Sequence, residues 1–153
     1  MKQKYIDAYL DIAYRVAELS HARRLKVGAV IVKDDVITYG YNGMPSGWDN
    51  NCEDPNLVKV GVGPDGHDIV KLELKTKPEV LHAESNAISK IARSTVSACD
   101  ADMFITHSPC IDCAKMIFQA GVRRVFYSED YRSRAGVEFL EKSGVTVEKV
   151  ARK

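Results

Sequence analysis

Two short stretches of the chain carry residue types that bind metal ions and move protons. In the stretch LHAESNAI, His82 is followed two residues later by Glu84. In the stretch HSPCIDCAKMI, Cys110 and Cys113 are three residues apart. Two thiolates and one imidazole give zinc three protein ligands and leave the fourth tetrahedral position for water, as in catalytic zinc sites. The sequence therefore predicts one catalytic zinc per chain.

Glu84 is placed to act as a proton carrier rather than as a ligand. A zinc ion with two thiolates and a neutral imidazole is formally neutral, so it is a weaker Lewis acid than a zinc held by three histidines. A neighbouring base helps such a centre to ionise water. We predict that Glu84 is the catalytic residue, and that the four residues meet where two helices begin. Helix N-termini favour thiolates.

The elements that must position these residues follow from hydrophobic periodicity. Apolar residues recur every three to four residues from about Lys4 to Leu19, which predicts an amphipathic helix. Beyond Val80, helical and strand patterns alternate, so the predicted order is α-β-β-α-β-α-β-α-β. The predicted strands are Val27–Val32, Val36–Tyr41, Met103–His107, Val122–Tyr127 and Val145–Val150. Strand-helix-strand units predict parallel pairing, hence an α/β fold with a mixed five-stranded sheet and helices on both faces.

The segment at about residues 43–78 differs from the rest of the chain. It is rich in glycine and proline, contains the only tryptophan, and shows no clear period. The prediction is a long irregular insertion within a single domain of residues 1–153. Long loops in compact domains are usually functional or disordered.

Composition restricts the classes of partner. A net charge of +1 creates no strong field toward nucleic acid or a membrane surface, and no apolar run is long enough to span a bilayer. The charged N-terminus does not resemble a secretory signal, so four cysteines indicate a reducing compartment. We expect a cytoplasmic protein without membrane or nucleic-acid partners, whose cysteines serve metal binding or catalysis.

The combined pattern H-x-E and P-C-x-x-C is the signature of zinc nucleobase deaminases. The chain resembles the deoxycytidylate (dCMP) deaminases of the zinc-dependent cytidine deaminase superfamily. The stretches that carry the resemblance span nearly the whole chain: VGAVIV, GYNGMPSG, HAESNAI and SPCIDCAKMIFQAGVRRVFY. GYNG followed by a long insertion favours this branch, because the deaminases that act on adenosine in transfer RNA usually have a shorter segment there.

The resemblance implies a function, a fold and an assembly. It implies hydrolysis of dCMP to dUMP with release of ammonia, which supplies dUMP for thymidylate synthesis. It also implies a three-layer α/β/α cytidine deaminase-like fold, a homo-hexamer, activation by dCTP and inhibition by dTTP. In the implied reaction, water attacks C4 of cytosine while Glu84 transfers protons to N3 and to the leaving amine.

Contacts with the substrate also follow from the resemblance. The backbone around Ala83 and Ser108 would contact the edge of the base, and Asn42 would contact the sugar. Asn42 has the alternative role of a turn residue in YNG. The further candidates for substrate contact are Ser20, Lys26 and Tyr131.

Basic residues supply candidates for binding phosphate groups. The stretch SHARRLK concentrates cations after the first helix, where they serve the substrate phosphate, an effector triphosphate or simply a solvated helix end. Tyr131 and Arg132 follow a strand end, where open α/β sheets place ligands. The insertion offers groups that could hold an effector or a Mg²⁺ ion bridging its phosphates. The effector or phosphate candidates are Arg23, Arg24, Gly43, Asn51, Glu53, Arg93 and Arg132.

Some alternatives stay open. The chain could be a sister deaminase that acts on a free nucleoside or on adenosine in RNA, although near-neutral charge argues against RNA. It could be a non-catalytic nucleotide-binding regulator, although the intact Glu84 argues against that. A second, structural zinc lacks an obvious set of four ligands in the insertion, where Cys52 is the lone cysteine.

Overall fold

The computed structural model describes residues 1–152, and a mixed five-stranded sheet forms its centre. In chain order the elements are α1 (Gln3–Ala17), β1 (Gly28–Lys33), β2 (Val36–Tyr41), β3 (Glu53–Val62), β4 (Asp68–Thr76), α2 (Ala83–Ala92), β5 (Asp102–His107), α3 (Ile111–Gln119), β6 (Arg124–Glu129), α4 (Ala135–Lys142) and β7 (Thr146–Lys149). The strand order in the central sheet is β2-β1-β5-β6-β7. β1 is antiparallel to β2 and β5, whereas β5, β6 and β7 are parallel.

The two faces of the sheet are covered by different helices, which confirms the predicted three-layer α/β/α fold. On one face, α1 packs Ile6 and Leu10 against Phe104 and Phe126. On the other face, α2, α3 and α4 pack against the sheet around Met103. β1 and β5 are buried on both faces, which explains their continuous apolar sequences.

The insertion is the main departure from the prediction. Instead of an irregular loop, β3 and β4 pair antiparallel as a separate two-stranded sheet, here called the hairpin. The GPDG stretch closes the hairpin, with Gly66 at a φ of 81°, as tight turns require. The prediction of an irregular insertion was wrong. The glycine and proline residues of the segment indicated a loop, whereas the β-branched and leucine residues on both sides of this turn form strands.

No helix within residues 1–152 has the combination of length and apolar character that crossing a bilayer requires.

Candidate metal centre and active site

The N-termini of two helices converge on one point. His82 is the N-cap residue of α2, and Cys110 is the N-cap residue of α3. The Cys110 Sγ accepts a hydrogen bond from the backbone N–H of Cys113, one turn into the same helix. The predicted ligands therefore lie at the positive ends of two helix dipoles, which stabilise thiolates.

The distances between the three ligand atoms test whether zinc would fit. The Nδ1 atom of His82 lies 3.6 Å from the Cys110 Sγ and 3.4 Å from the Cys113 Sγ. All three atoms lie within 4.8 Å of one another. Tetrahedral zinc with ordinary Zn–N and Zn–S bonds separates such atoms by about 3.6 Å. The arrangement fits zinc, with His82 binding through Nδ1.

The electrostatics of the thiols also fit a cation. Hydrogen bonds from Cys113 and His82 lower the pKa of Cys110 to about 4, which favours its thiolate form. The hydrogen bond to Cys110, together with burial, raises the pKa of Cys113, which favours its protonated form before a metal binds. The hydrogen bond to Cys110 raises the pKa of His82 as well. Binding of a metal ion would therefore release protons from the centre.

Glu84 lies in the first turn of α2 beside the three ligands. Its side chain is buried, and burial raises the pKa of Glu84 to about 7. A carboxyl group in this environment changes its protonation state easily near neutral pH, which is what a general acid-base requires. The structure thus places the predicted proton carrier next to the predicted metal ligands.

A cavity of about 340 Å³ opens beside this centre. The predicted site residues that line it are Arg24, Asn42, His82, Ala83, Glu84, Ser108, Cys110, Tyr131 and Arg132. These residues come from distant parts of the sequence, so the fold assembles a single pocket from most of the candidates for metal, base, sugar and phosphate.

Hydrogen bonds hold the walls of the cavity. The Asn42 side chain accepts from the Val27 N–H and donates to the Leu25 carbonyl, both at 2.8 Å. The Ser20 hydroxyl donates to the Asn42 carbonyl at 2.7 Å. The Ser108 hydroxyl accepts from the N–H of Tyr131, also at 2.8 Å. Asn42 therefore has the structural role that the sequence left open, and its contact with a sugar stays a prediction.

Several predicted residues do not line the cavity. Arg93 is exposed at the C-terminal end of α2, about 16 Å along the helix axis from His82. Glu53 is only 1% exposed, and its carboxylate accepts the backbone N–H groups of Arg23 and Arg24. It therefore presents no open face to an effector. The other candidates outside the lining are the buried ligand Cys113 and Ser20, Arg23, Lys26, Gly43 and Asn51.

Two glycines that sequence analysis did not select hold the helix starts in place. A Cβ atom on Gly136 would lie 2.1 Å from the Pro109 carbonyl oxygen, and one on Gly40 would lie 2.2 Å from that of Ala83. Only glycine permits these approaches to the backbone next to the metal ligands. The sequence could have indicated the role of Gly40, because a glycine inside a strand often marks close backbone approach. No sequence pattern indicates the role of Gly136.

Other cavity residues were also absent from the predicted set, among them His107, Glu129 and Thr76. His107 and Glu129 contact each other at 3.4 Å at the ends of β5 and β6. Thr76, the last residue of β4, brings the hairpin to the cavity. Thr76 could not be selected from the sequence, because the insertion was predicted to be irregular and no strand was expected to end at the cavity.

Comparisons with known proteins agree with this geometry. Residues 3–129 match the family model of the cytidine and deoxycytidylate deaminase zinc-binding region. The chain is 36% identical over 172 residues to the deoxycytidylate deaminase of Enterobacteria phage T4, covering 94% of this chain and 89% of the relative. It is 37% identical over 144 residues to ComE operon protein 2 of Bacillus subtilis (strain 168), covering 93% of this chain and 69% of the relative.

A solved structure is similar over almost the full length. The dCMP deaminase from the cyanophage S-TIM5, in complex with dCMP and dUMP, is 42% identical with a TM-score of 0.82. The similarity covers 98% of this chain and 99% of the cyanophage chain. It therefore includes the hairpin segment as well as the central sheet.

Proposed function

This chain belongs to the cytidine and deoxycytidylate deaminase family of zinc-dependent hydrolases, and from that premise we propose that it converts dCMP and water into dUMP and ammonia. The observation that carries the proposal is the lining of the cavity. Two of the metal ligands, His82 and Cys110, line the same cavity as Glu84 and two arginines, Arg24 and Arg132. A deaminase for a nucleotide needs both parts in one pocket.

The charges around the cavity favour an anionic substrate. Two of its three carboxylates have partners: Glu129 accepts from the Tyr14 hydroxyl at 2.9 Å, and Asp130 pairs with Lys149. Arg24 and Arg132 form no ion pair with any residue in the described range 1–152. The cavity therefore offers two arginines without an ion-pair partner, and arginine is well suited to binding phosphate oxygens.

Zinc would be held by His82, Cys110 and Cys113, and when bound it supplies a Lewis acid that makes water nucleophilic near neutral pH. Glu84 removes one proton from the attacking water and delivers it to N3 of cytosine. The C4–O bond forms as the N3=C4 double bond opens onto the protonated N3. The C4–N bond then breaks as C4=O forms, and Glu84 carries a second proton from the attacking oxygen to the nitrogen that leaves as ammonia. The burial of Glu84 keeps bulk water from competing for these protons.

The remaining contacts orient the nucleotide. In the proposed complex, backbone groups of Ala83 and Ser108 bind the edge of the base, and Asn42 contacts the sugar. The phosphate binds at the end of the cavity lined by Arg24, Tyr131 and Arg132. Ser20 supports this wall through Asn42, and Lys26 lies in the loop beside it.

The proposed regulation and assembly are those of the family resemblance. We propose a homo-hexamer that dCTP activates and dTTP inhibits, with Mg²⁺ bridging triphosphate oxygens. Candidate effector groups are Gly43 and Asn51 beside the hairpin, the exposed Arg23, and Arg93 at the far end of α2. The reaction would supply dUMP for thymidylate synthesis in the cytoplasm, where a reducing environment keeps Cys110 and Cys113 available as ligands.

A substrate panel tests the proposed activity. Purified protein loaded with zinc is offered dCMP, CMP, deoxycytidine and an RNA stem-loop, and ammonia release is followed. We expect the highest kcat/KM for dCMP. A preference for deoxycytidine or for the RNA would overturn the proposal in favour of a sister enzyme. Adding Mg²⁺ with dCTP or dTTP to the dCMP assay tests regulation, and saturation curves unaffected by either would remove that part.

A further inference from the structure

Glu53, the first residue of β3, is a buried carboxylate outside the metal centre. Its Oε1 accepts hydrogen bonds from the backbone N–H groups of Arg23 at 2.8 Å and of Arg24 at 3.0 Å. Its Oε2 lies 3.5 Å from the Nε of Arg23 and has no hydrogen bond. Burying a carboxylate is costly unless it is paired. Glu53 is therefore a fixed connection between the hairpin and the loop that follows α1.

The two consecutive arginines of this loop have different surroundings. The Arg23 guanidinium lies against the hairpin, where it pairs with Glu53 and donates to the Asn51 side chain at 3.1 Å. The Arg24 guanidinium lines the cavity and donates to the Thr76 hydroxyl at 3.3 Å. The charge of Arg23 is compensated inside the protein, whereas that of Arg24 is left for a ligand.

Both ends of Arg24 are held by one pair of residues. Glu53 and Thr76 are directly opposite each other in the β3–β4 ladder. Glu53 binds the backbone N–H of Arg24, and Thr76 accepts from its guanidinium.

Next to the Glu53–Thr76 pair, the Lys77 N–H donates to the Cys52 carbonyl, and Cys52 packs with Ala22 and Val80. The base of the hairpin is thus anchored to the body of the protein on the cavity side.

We propose that the Glu53–Thr76 pair positions Arg24 for the 5′-phosphate and thereby sets the preference for a nucleotide over a nucleoside. This inference rests on the proposed function, because it assumes that dCMP is the substrate. An arginine side chain has many rotamers, and ordering it on binding weakens affinity. Holding the guanidinium before the substrate arrives removes much of that cost. Thr76 and Glu53 are positioning residues, and Arg24 makes the contact.

The measured quantity is the ratio of kcat/KM for dCMP to kcat/KM for deoxycytidine. Thr76→Val keeps the shape of the side chain and removes the hydroxyl, and we expect it to lower the ratio about three- to ten-fold, mainly through KM for dCMP. Thr76→Ser restores a hydroxyl and should restore most of the ratio. Thr146→Val, on exposed β7, is the matched control and should leave the ratio at the wild-type value.

Arg24 provides the reference for the size of the effect. Arg24→Gln should lower the ratio further than Thr76→Val, and the double variant should be no worse than Arg24→Gln, because Thr76 acts through Arg24. Where deoxycytidine turnover is too slow to measure, the ratio of the inhibition constants of deoxyuridine and dUMP measures the same phosphate contribution at the level of binding. Glu53→Gln should also lower the ratio and, in addition, lower the melting temperature.

These measurements distinguish a failure of the proposed function from a failure of the positioning role. A wild-type enzyme with no preference for dCMP over deoxycytidine contradicts the proposed function itself. A wild-type enzyme that prefers dCMP, with a Thr76→Val variant that loses both substrates equally or neither, overturns the positioning role and leaves the activity intact. An additive loss in the double variant would also overturn it, since the two residues would then act independently.

Discussion

The metal centre lies where α2 and α3 begin against the buried middle of the five-stranded sheet, whereas the strands of the hairpin pair only with each other. Around the centre, helix starts, strands and core residues fix each ligand from several sides. Along the hairpin, apolar side chains stay in the open, with Leu57 at 69% and Leu72 at 63% exposure. An isolated two-stranded hairpin is only marginally stable in water.

The comparison separates the chemistry from the selection of the substrate. Proton transfer and metal binding depend on atoms held by the core, so they should tolerate change in the hairpin. The hairpin reaches the cavity only through its base, at Thr76, where it contacts Arg24. Variants in the two regions should therefore fail in different ways.

Loss of a metal ligand should be the most severe change. Cys113→Ser replaces a buried thiol that lies 3.4 Å from the imidazole of His82. We expect loss of bound zinc, deamination at background level and a lower melting temperature, because binding and folding are coupled at such sites. Metal analysis and ammonia release measure this. Cys99→Ser, at an exposed cysteine, is the control. A zinc-free variant with full activity would refute the metal centre.

Removal of the proton carrier should spare the metal. Glu84→Gln keeps the size of the side chain but cannot exchange protons, so we expect turnover to fall by about 10³-fold or more. Zinc content and dUMP binding should persist. The exposed Glu138→Gln on α4 should behave as wild type. If Glu84→Gln kept about a tenth of the wild-type turnover, another group would be moving the protons.

Moving the N-terminus of α3 should weaken the metal centre without replacing any ligand. Gly136→Ala places a Cβ atom 2.1 Å from the Pro109 carbonyl oxygen, so the backbone before α3 must move. We expect a loss of about 1–3 kcal/mol in the free energy of unfolding, with weaker zinc binding. Gly61→Ala, where a Cβ would meet nothing within 4 Å, is the matched control in the hairpin. Equal effects from the two substitutions would contradict the comparison.

The opposite end of β5 should matter for stability rather than for catalysis. Asp102 is buried; burial raises its pKa, but hydrogen bonds from Arg124 and Arg123 lower it more, so the pKa lies below its ordinary value overall. A carboxylate with a lowered pKa stabilises the folded state above its unfolded pKa, about 3.9, and this stabilisation is lost as pH falls further.

Asp102→Asn measures that contribution. It should lower the free energy of unfolding by about 2 kcal/mol at pH 7, and the difference from wild type should shrink below about pH 4. Denaturant unfolding across this pH range checks both statements. A difference that stays constant down to about pH 2 would show that the ionised carboxylate is not the cause.

The sequence predicted the metal centre and the central sheet better than it predicted the hairpin. The metal ligands and Glu84 were predictable because their chemistry restricts residue type and spacing. The parallel strands β5 and β6 were predictable because burial on both faces makes the middle of each sequence apolar. The contacts of Gly136 were not, since the proximity of α4 to the backbone of Pro109 depends on tertiary packing and leaves no local pattern.

The hairpin was missed for a related physical reason. Its strands do not pack on the core, so their apolar residues follow no burial pattern that would stand out against glycine and proline. The role of Glu53 was also hidden, because an acidic residue in a glycine-rich segment is normally solvated. Only the fold brings its carboxylate to the N–H groups of Arg23 and Arg24.

Shortening the hairpin should have the smallest effect of all. Leu57 and Leu72 are directly opposite each other in the ladder, so residues 58–71 can be replaced by Asn-Gly, which closes two-residue hairpins. The Glu53–Thr76 pair, and with it Arg24, stays in place. We therefore expect kcat/KM for dCMP to remain within about three-fold of wild type, because the removed residues contact neither the cavity nor the core.

The same variant joined to Thr76→Val sharpens the comparison between tip and base. If the base alone acts on Arg24, the preference for dCMP over deoxycytidine should fall as much in the shortened chain as in the full-length one. Steady-state kinetics with both substrates give this ratio, and size-exclusion chromatography with light scattering shows whether the assembly has changed. A large loss of dCMP turnover on shortening, without a change in assembly, would mean that the exposed strands act on the active site, and the division between chemistry and hairpin would fail.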